Sequence, residues 1–394
     1  MCNFLNKNLS YLKNINSINL KLFKYIILLL FIILLILSIY DNKEKKNYSS
    51  RCNIKKYNQL YHNYNSEGNK EIKQEKFFFM HKNGKLRHCR NFGILVYNYS
   101  FMKRKPKLIN IGDYIQSLAA LQFLPNNCIP FFVDRDSIEF FNKTKFKIII
   151  IMNSWNIIQK GNRKVPSNIY PIYLSYHINN KNYIDSFSLK NLKKNEPIGC
   201  RDIFTLKYLQ KQGINSYFSS CLTTTLDINF AVNQTERIND IIFIDFRFGL
   251  FPEADKFIKS LKAYNFSNIK YKRHMYKSQY THLQRFIIAK RLLDQYARAK
   301  LVISTRIHGA LPCLALKTPI IFINRKYDKR YPGLYELLNT VGINSKGKFE
   351  INVKLNNNNL VVNPTNYLEY ANRLKIRLKN LFLNKKYLKY LNKR

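Results

Sequence analysis

The stretch that most constrains the fold is residues 301–323, LVISTRIHGALPCLALKTPIIFI, where a short polar segment interrupts an apolar run. This pattern predicts a buried strand, a loop, a short buried helix that begins after Gly309 and ends before Pro319, and a second buried strand. Ligands of open α/β sheets bind outside the carboxyl ends of the strands, beside helix N-termini that favour anions. Arg306 and His308 lie in the predicted loop and are therefore candidate site residues. On this stretch alone, a structural histidine remains the alternative.

Strand and helix patterns alternate along the rest of the chain, on both sides of a polar linker at residues 233–239. Further strands are predicted over residues 92–96, 131–133, 146–152, 172–175, 215–218, 241–246 and 269–272, and helices over residues 111–124, 205–212, 252–264 and 284–300. This alternation is typical of α/β proteins with parallel sheets. We therefore predict two α/β halves, residues 91–235 and 236–394, with a cleft between them.

Two further positions resemble that of Arg306, at the start of a predicted helix. Arg201 stands where a strand gives way to a helix, although a surface ion pair with Asp202 or a neighbour is an alternative role. Gly112 and Asp113 open the first predicted helix, where backbone N–H groups lack intrahelical partners. A helix cap is the alternative role for Asp113.

The N-terminal part of the chain predicts a membrane protein. Residues 1–21 form a polar, basic tail, and residues 22–40, LFKYIILLLFIILLILSIY, predict an apolar helix roughly 28 Å long, close to the thickness of a bilayer core. No small-residue cleavage site follows, so we predict an uncleaved transmembrane signal anchor in a single-pass protein. Residues 41–90 are polar with weak periodicity and are interpreted as a stem. Taken literally, the positive-inside rule would leave the body in the cytosol, because more basic residues follow the anchor than precede it. Basic residues are in excess throughout the chain, however, which weakens this signal, so we favour a lumenal body.

The formal charge of +44 would ordinarily suggest a nucleic-acid partner. The basic residues are spread over the whole chain, however, with no zinc-finger spacing and no aromatic RNA-binding motif, so we predict no nucleic-acid partner. None of the seven cysteines forms a C-x-x-C pair and no metal-ligand spacing is present, so no metal site is predicted. The basic tail at residues 366–394 has leucines at helical spacing, and it either packs on the body or lies on an anionic membrane.

Four long stretches, in order along the chain, carry a resemblance to a known family. They are NIGDYIQSLAALQFL at residues 110–124, VPSNIYPIYLSYHIN at residues 165–179, EPIGCRDIFTLKYLQKQGINSYFSSCLTTTLD at residues 196–227, and AKLVISTRIHGALPCLALKTPIIFI at residues 299–323. With these stretches, the chain resembles the polysaccharide pyruvyl transferase family over about residues 91–345. The predicted anchor, stem and tail lie outside the resemblance.

The resemblance implies two Rossmann-like halves in a GT-B-like arrangement with the active site in the central cleft. It implies transfer of pyruvate from phosphoenolpyruvate to two hydroxyls of a sugar residue as a cyclic ketal, with no cofactor besides this donor substrate. His308 matches the general acid of the family, and Arg201 matches an arginine that holds the donor's anionic groups, a role we also expect of Arg306. Six further residues are substrate-binding candidates in the cleft: Asn110, Gly112, Asp113, Asn153, His177 and Gly309.

Two residues depart from the family pattern. Ser154 in Asn-Ser-Trp and Ser220 in Ser-Ser-Cys stand where relatives resemble glycine. Positions suited to close backbone approach therefore carry a side chain, which is expected to affect acceptor binding or activity.

The resulting hypothesis is a membrane-anchored pyruvyl transferase of the Golgi or another secretory-pathway membrane. Its expected partners are phosphoenolpyruvate, a glycan or polysaccharide acceptor with a galactose-type residue, and the membrane that holds the N-terminal helix. Two alternatives stay open: a GT-B-like glycosyltransferase that uses a nucleotide sugar, and a catalytically inactive glycan-binding relative.

Overall fold

The computed structural model describes residues 88–99, 106–124, 129–141, 144, 146–156, 165–179, 184–227, 237–267, 269–328 and 330–383. The predicted N-terminal tail and transmembrane anchor, and nearly all of the predicted stem, lie outside these residues. No helix among the described residues combines the length and the apolar character needed to cross a bilayer.

The first part of the described chain contains a four-stranded parallel sheet. Its elements are β1 (His88–Val96), β2 (Leu108–Asn110), α1 (Gly112–Leu121), β3 (Ile129–Asp134), β4 (Ile148–Ile151), β5 (Trp155–Asn156), β6 (Ile169–Ile172), β7 (His177–Ile178), α2 (Ser186–Lys194), β8 (Ile198–Cys200), α3 (Ile203–Lys211) and β9 (Ser216–Phe218). The sheet has the order β3-β1-β4-β6, and two short parallel pairs, β5-β7 and β8-β9, accompany it. All four isoleucines of β4 are buried, as expected of a parallel strand covered on both faces.

The second part forms a six-stranded sheet with the order β11-β10-β13-β14-β15-β16. Its elements are β10 (Ile241–Ile244), α4 (Pro252–Ser260), β11 (Ile269–Lys272), β12 (Met275–Lys277), α5 (His282–Arg298), β13 (Leu301–Ser304), α6 (Ile307–Ala315), β14 (Ile320–Asn324), β15 (Thr340–Ile343), β16 (Phe349–Asn352) and α7 (Tyr367–Leu383). Within the six-stranded sheet, every strand pairs in parallel with its neighbour except β16, which is antiparallel to β15. The prediction of an α/β fold with parallel sheets is confirmed.

The helix that follows β13 begins earlier than the sequence predicts. Arg306 has extended backbone angles and is the N-cap, so α6 starts at Ile307 and contains Gly309 in its first turn. The prediction that the helix begins after Gly309 is therefore wrong. A Cβ atom at this position would lie 2.6 Å from Ser304 Oγ and 2.9 Å from Ile244 Cδ1, so the glycine lets α6 pack closely against the ends of β10 and β13.

The two sheets are joined through α1 and the strand that precedes it. Strand β2 pairs with β12 in antiparallel fashion, and the Ile111 N–H donates to the His274 carbonyl at 2.7 Å. Helix α1 also contacts α5, where Tyr114 OH lies 2.6 Å from His282 Nδ1. These contacts hold the N-terminus of α1 beside the carboxyl ends of the strands in the second sheet.

The C-terminal helix packs on the body. Tyr367, Ala371, Leu374 and Leu378 of α7 are buried, and Tyr367 OH donates to the Leu314 carbonyl at 2.8 Å. Over residues 367–383 the basic tail therefore packs on the body, which is one of the two interpretations that the sequence left open.

Candidate active site

His308 lies in the first turn of α6, immediately after the carboxyl end of β13. Its side chain is buried, and Nε2 has no hydrogen-bond partner in the part of the chain that the structure describes. Burial lowers the pKa of His308 well below 6.5, and the nearby positive charge of Arg201 lowers it further. With no bound anion, the imidazole is therefore neutral at physiological pH.

Arg201 brings a buried positive charge from the first part of the chain to the same place. It follows β8 and its backbone N–H donates to the Tyr176 carbonyl at 2.9 Å. Only 5% of the residue is exposed, and among the described residues Nε has no hydrogen-bond acceptor. The Ile203 N–H, just after Arg201, donates to the Pro332 carbonyl at 3.0 Å, so this end of β8 lies against the segment that carries Arg330. After burial, the charge of Arg201 is the next cause that lowers the pKa of both His177 and His308, so residues from both parts of the chain form one cluster.

Asp202 is engaged with a histidine and a helix, which excludes the ion pair with Arg201 that the sequence left open. Its Oδ2 lies 2.5 Å from His177 Nδ1, and its Oδ1 accepts the Thr205 N–H at 2.8 Å as the N-cap of α3. His177 is buried, and its Nε2 has no partner within the described ranges. Burial and the charge of Arg201 lower the pKa of His177 to about 4, despite the opposing effect of Asp202.

Arg306 reaches the cluster from a more exposed position. Its Nε donates to Asp245 Oδ2 at 2.5 Å, and 40% of its side chain is exposed. Asp245 Oδ2 also accepts the His274 N–H at 3.4 Å, so this carboxylate joins Arg306 to His274 of the cluster. Pairing through Nε leaves the two terminal Nη groups without a partner among the described residues, so they are available to bind an anion.

Gly112 allows α1 to approach His308 closely. A Cβ atom here would lie 3.1 Å from each of Asn110 Oδ1, His274 Nδ1 and His308 Cβ. Asn110 Oδ1 accepts the Gly112 N–H at 3.1 Å, so Asn110, and not Asp113, satisfies the first N–H of α1. The helix-cap alternative for Asp113 is therefore wrong.

Asp113 and Asn153 belong to a buried network beneath α1. Tyr99 OH donates to Asp113 Oδ2 at 2.5 Å, and Gln116 Nε2 donates to Asp113 Oδ1 at 3.2 Å. Burial raises the pKa of Asp113, whereas the charge of Arg135 opposes the rise. Asn153 Nδ2 donates to the Gln116 carbonyl at 2.7 Å, while Asn153 Oδ1 has no partner in the described structure. Both side chains thus hold the position of α1.

Two members of the cluster were missed by sequence reasoning. Arg330 follows β14 and forms a bidentate ion pair with Asp328, with 2.9 Å from Nε to Oδ1 and 2.5 Å from Nη2 to Oδ2. Its positive charge also lowers the pKa of His308. His274 follows β11, and its Nε2 lies 2.9 Å from Tyr296 OH. Both residues come after the carboxyl end of a parallel strand, so the rule that located Arg306 could have found them.

Within the described ranges, no group of three or more histidine, cysteine or acidic side chains is arranged to hold a metal ion. Cys200, Cys221 and Cys313 are buried free thiols.

The parallel sheets and this cluster define an α/β protein with a cationic, histidine-containing site at the carboxyl ends of its strands. The comparisons identify the family. The chain belongs to the polysaccharide pyruvyl transferase family, whose model matches residues 110–327, and it is a pyruvyl transferase. The family implies a polysaccharide acceptor.

Among solved structures, a functionally uncharacterised protein from Klebsiella pneumoniae subsp. pneumoniae NTUH-K2044 is similar to this chain. It has 14% sequence identity and a TM-score of 0.39, over 66% of this chain and 94% of that chain. No curated protein matches the chain.

Proposed function

We propose that this pyruvyl transferase takes its pyruvyl group from phosphoenolpyruvate and attaches it, as a cyclic ketal, to two hydroxyls of one sugar residue. The observation that supports this proposal is the meeting of Arg201 and His308, from the two parts of the fold, in one buried cluster with unpartnered nitrogen atoms. A donor that carries both a carboxylate and a phosphate requires fixed positive charge and N–H donors. This cluster offers both.

The donor's anionic groups bind Arg201 and the free Nη groups of Arg306 in this proposal. The N-terminus of α6, whose backbone N–H groups begin at Ile307, adds further donors. Arg330 contributes long-range positive charge, because its own guanidinium is paired with Asp328.

His308 acts as the general acid that protonates the methylene carbon of the donor. Its pKa lies well below 6.5 while the site holds no anion, partly because of Arg201 and Arg330. A bound anion offsets these positive charges and raises the pKa of His308, since an adjacent negative charge favours the imidazolium. Donor binding therefore favours the charged form of His308, which couples proton transfer to donor binding.

We also propose that the two sheets are the halves of a GT-B-like arrangement, with a galactose-type residue of the acceptor bound between them. The topology of two parallel sheets is consistent with that arrangement. The apolar segment at residues 22–40 supports a single-pass anchor, with the body in the lumen of the Golgi or another secretory compartment. Asn110, Asn153 and His177 are the remaining polar candidates for contacts with substrate.

The test uses the purified full-length chain with phosphoenolpyruvate and a panel of galactosides. We expect acceptor-dependent release of phosphate, a product heavier by one pyruvyl group, and thermal stabilisation by phosphoenolpyruvate alone. His308→Gln should lower turnover by about 10²- to 10⁴-fold and keep the stabilisation. His282→Gln is the matched control, because His282 is a half-buried histidine bonded to Tyr114 and outside the cluster.

Other outcomes would overturn the proposal. Stabilisation by nucleotide sugars but not by phosphoenolpyruvate would indicate a different donor. Glycan binding without turnover, unchanged in His308→Gln, would indicate a binding protein.

A further inference from the structure

The pair formed by His177 and Asp202 has no assigned task beyond contact with substrate. Both side chains are buried, and Nδ1 of His177 lies 2.5 Å from Asp202 Oδ2. The opposite ring nitrogen, Nε2, is also buried and has no partner among the described residues. This nitrogen lies next to Arg201, whose backbone N–H donates to the carbonyl of Tyr176, the residue before His177, so it is free to bond a ligand held by Arg201.

We propose that His177 Nε2 is the base that removes the proton from the acceptor hydroxyl as it attacks the donor, with Asp202 as the positioning residue. This inference rests on the proposed donor, phosphoenolpyruvate, and assigns the second proton transfer that its chemistry requires.

The contacts of Asp202 determine which nitrogen of His177 is free. A carboxylate oxygen accepts hydrogen bonds, so Nδ1 carries the proton and Nε2 presents a lone pair. Asp202 cannot turn away, because Oδ1 accepts the Thr205 N–H and Oδ2 accepts Thr205 Oγ1–H at 3.1 Å. Thr205 Oγ1 in turn accepts the Ile178 N–H at 3.0 Å, which ties the strand that carries His177 to α3. The ring is therefore held in one orientation.

Burial and the surrounding charges keep this base unprotonated. Burial lowers the pKa of His177 most, and Arg201 and Arg330 lower it further, to about 4 without a bound anion. The anionic donor compensates these charges, so the affinity of Nε2 for a proton rises in the complex in which the proton must be accepted.

The proton transfers balance over the whole reaction. His308 gives a proton to the methylene carbon, forming the methyl group, while the first hydroxyl oxygen bonds to the adjacent carbon and its proton passes to His177 Nε2. The carbon–oxygen bond to phosphate then breaks, and His177 returns its proton to the departing phosphate. The second hydroxyl closes the ketal, and its proton restores His308. Two hydroxyl protons are consumed, one in the methyl group and one in hydrogen phosphate.

Asp202→Asn tests the inference with little change in the fold. Asparagine caps helices as well as aspartate does, so its Oδ1 keeps the bond to the Thr205 N–H. Its Nδ2 then replaces Oδ2 and donates to His177 Nδ1, which moves the imidazole proton to Nε2 and removes the lone pair. Asp185→Asn is the matched control: Asp185 caps α2 by accepting the Ser188 N–H at 2.7 Å and contacts no histidine.

We expect Asp202→Asn in the full-length chain to lower kcat by about 10²- to 10⁴-fold. The KM for phosphoenolpyruvate and the thermal stabilisation by this donor should stay within about twofold of wild type, and Asp185→Asn should retain full turnover. His177→Ala should lose turnover to the same extent and regain part of it with added imidazole, which a purely structural role would not permit.

Two results overturn the inference separately from the proposed function. Wild type that turns over phosphoenolpyruvate, together with Asp202→Asn and His177→Ala variants that keep kcat within a few fold, would exclude a base at His177. Loss of donor stabilisation in parallel with turnover would make His177 a donor-binding residue instead. Absence of phosphoenolpyruvate turnover in wild type would instead refute the proposed function, and this inference with it.

Discussion

Replacing Ser220 by glycine is expected to stabilise the protein. Ser220 is fully buried with φ at +61°, in the left-handed region that disfavours side chains. Its Oγ has no hydrogen-bond partner in the described structure. The family resemblance places glycine at this position, so the serine introduces both a backbone cost and a polar cost.

The size of the effect follows from these two costs. A left-handed conformation costs a residue with a side chain roughly 1 kcal/mol. A buried unsatisfied hydroxyl costs about 1–3 kcal/mol. The greater backbone freedom of glycine in the unfolded chain offsets about 0.5–1 kcal/mol. The free energy of unfolding should therefore rise by about 1–3.5 kcal/mol, which for a body of this size corresponds to a rise in Tm of roughly 2–5 °C.

The neighbouring serine supplies a control of opposite sign. Ser219 Oγ donates to the Cys200 carbonyl at 3.0 Å and accepts the Ser175 N–H at 3.1 Å. Ser219→Gly removes both bonds and adds backbone freedom, so it should lower Tm. The Tm values of the two variants and of wild type are measured by thermal melts and compared. A Tm for Ser220→Gly at or below that of Ser219→Gly would refute the reasoning.

Two further predictions concern the site and its histidines. Gly112→Ala should lower kcat by about 10- to 100-fold, because the new Cβ, 3.1 Å from His308 Cβ, forces the acid to shift by a few tenths of an ångström. Turnover and thermal stabilisation by the donor are measured together to test this. An unchanged kcat would contradict it. Stability should fall as the pH drops from about 6.5 to 4, because burial lowers the pKa of His177 and of His274 to about 4 in the folded chain. Between pH 6.5 and 4 the unfolded chain binds protons that the folded chain does not. Each histidine therefore contributes up to about 3 kcal/mol to the free energy of unfolding above this pH range, and the contribution is lost below it. Tm measured against pH tests this, and a flat profile between pH 6.5 and 4 would contradict it.

The elements that sequence reasoning located best are the buried parallel strands. Strands β4, β10 and β13 are buried at every residue, which produces uninterrupted apolar runs that are visible without any partner. Helix α5 shows a second local signal, since Thr281 and Gln284 form a capping box at its start. Such signals depend on near neighbours in the chain, which is why they could be read directly.

The contacts that complete the site leave no such local signal. Arg306 and Asp245 are 61 residues apart in the chain, and the pairing of β2 with β12 joins residues from both halves. Gly309 was misinterpreted for the same reason, because the atoms that exclude a side chain there belong partly to Ile244 on another strand. The residue patterns could place Arg201 and His308 at strand ends, but only the family resemblance indicated that these two ends meet.

The lack of an ion pair for Arg201 within the described part of the chain is itself an argument for an anionic ligand. Removing a guanidinium from water without a counter-charge is costly, and structural ion pairs avoid this cost by placing a carboxylate beside the arginine, as Asp328 does for Arg330. Arg201 is more deeply buried than Arg330, yet Asp202, its neighbour in the chain, is used to orient His177. Among the described residues, therefore, no carboxylate forms an ion pair with Arg201, although Asp202 is available one residue away and the charge of Arg201 acts on Asp113 without such a pair. A charge kept unpaired in this way destabilises the empty protein and strengthens the binding of whatever anion replaces the missing partner. Burial and the same charge lower the pKa of both neighbouring histidines, so the site with its positive charge unpaired keeps them neutral.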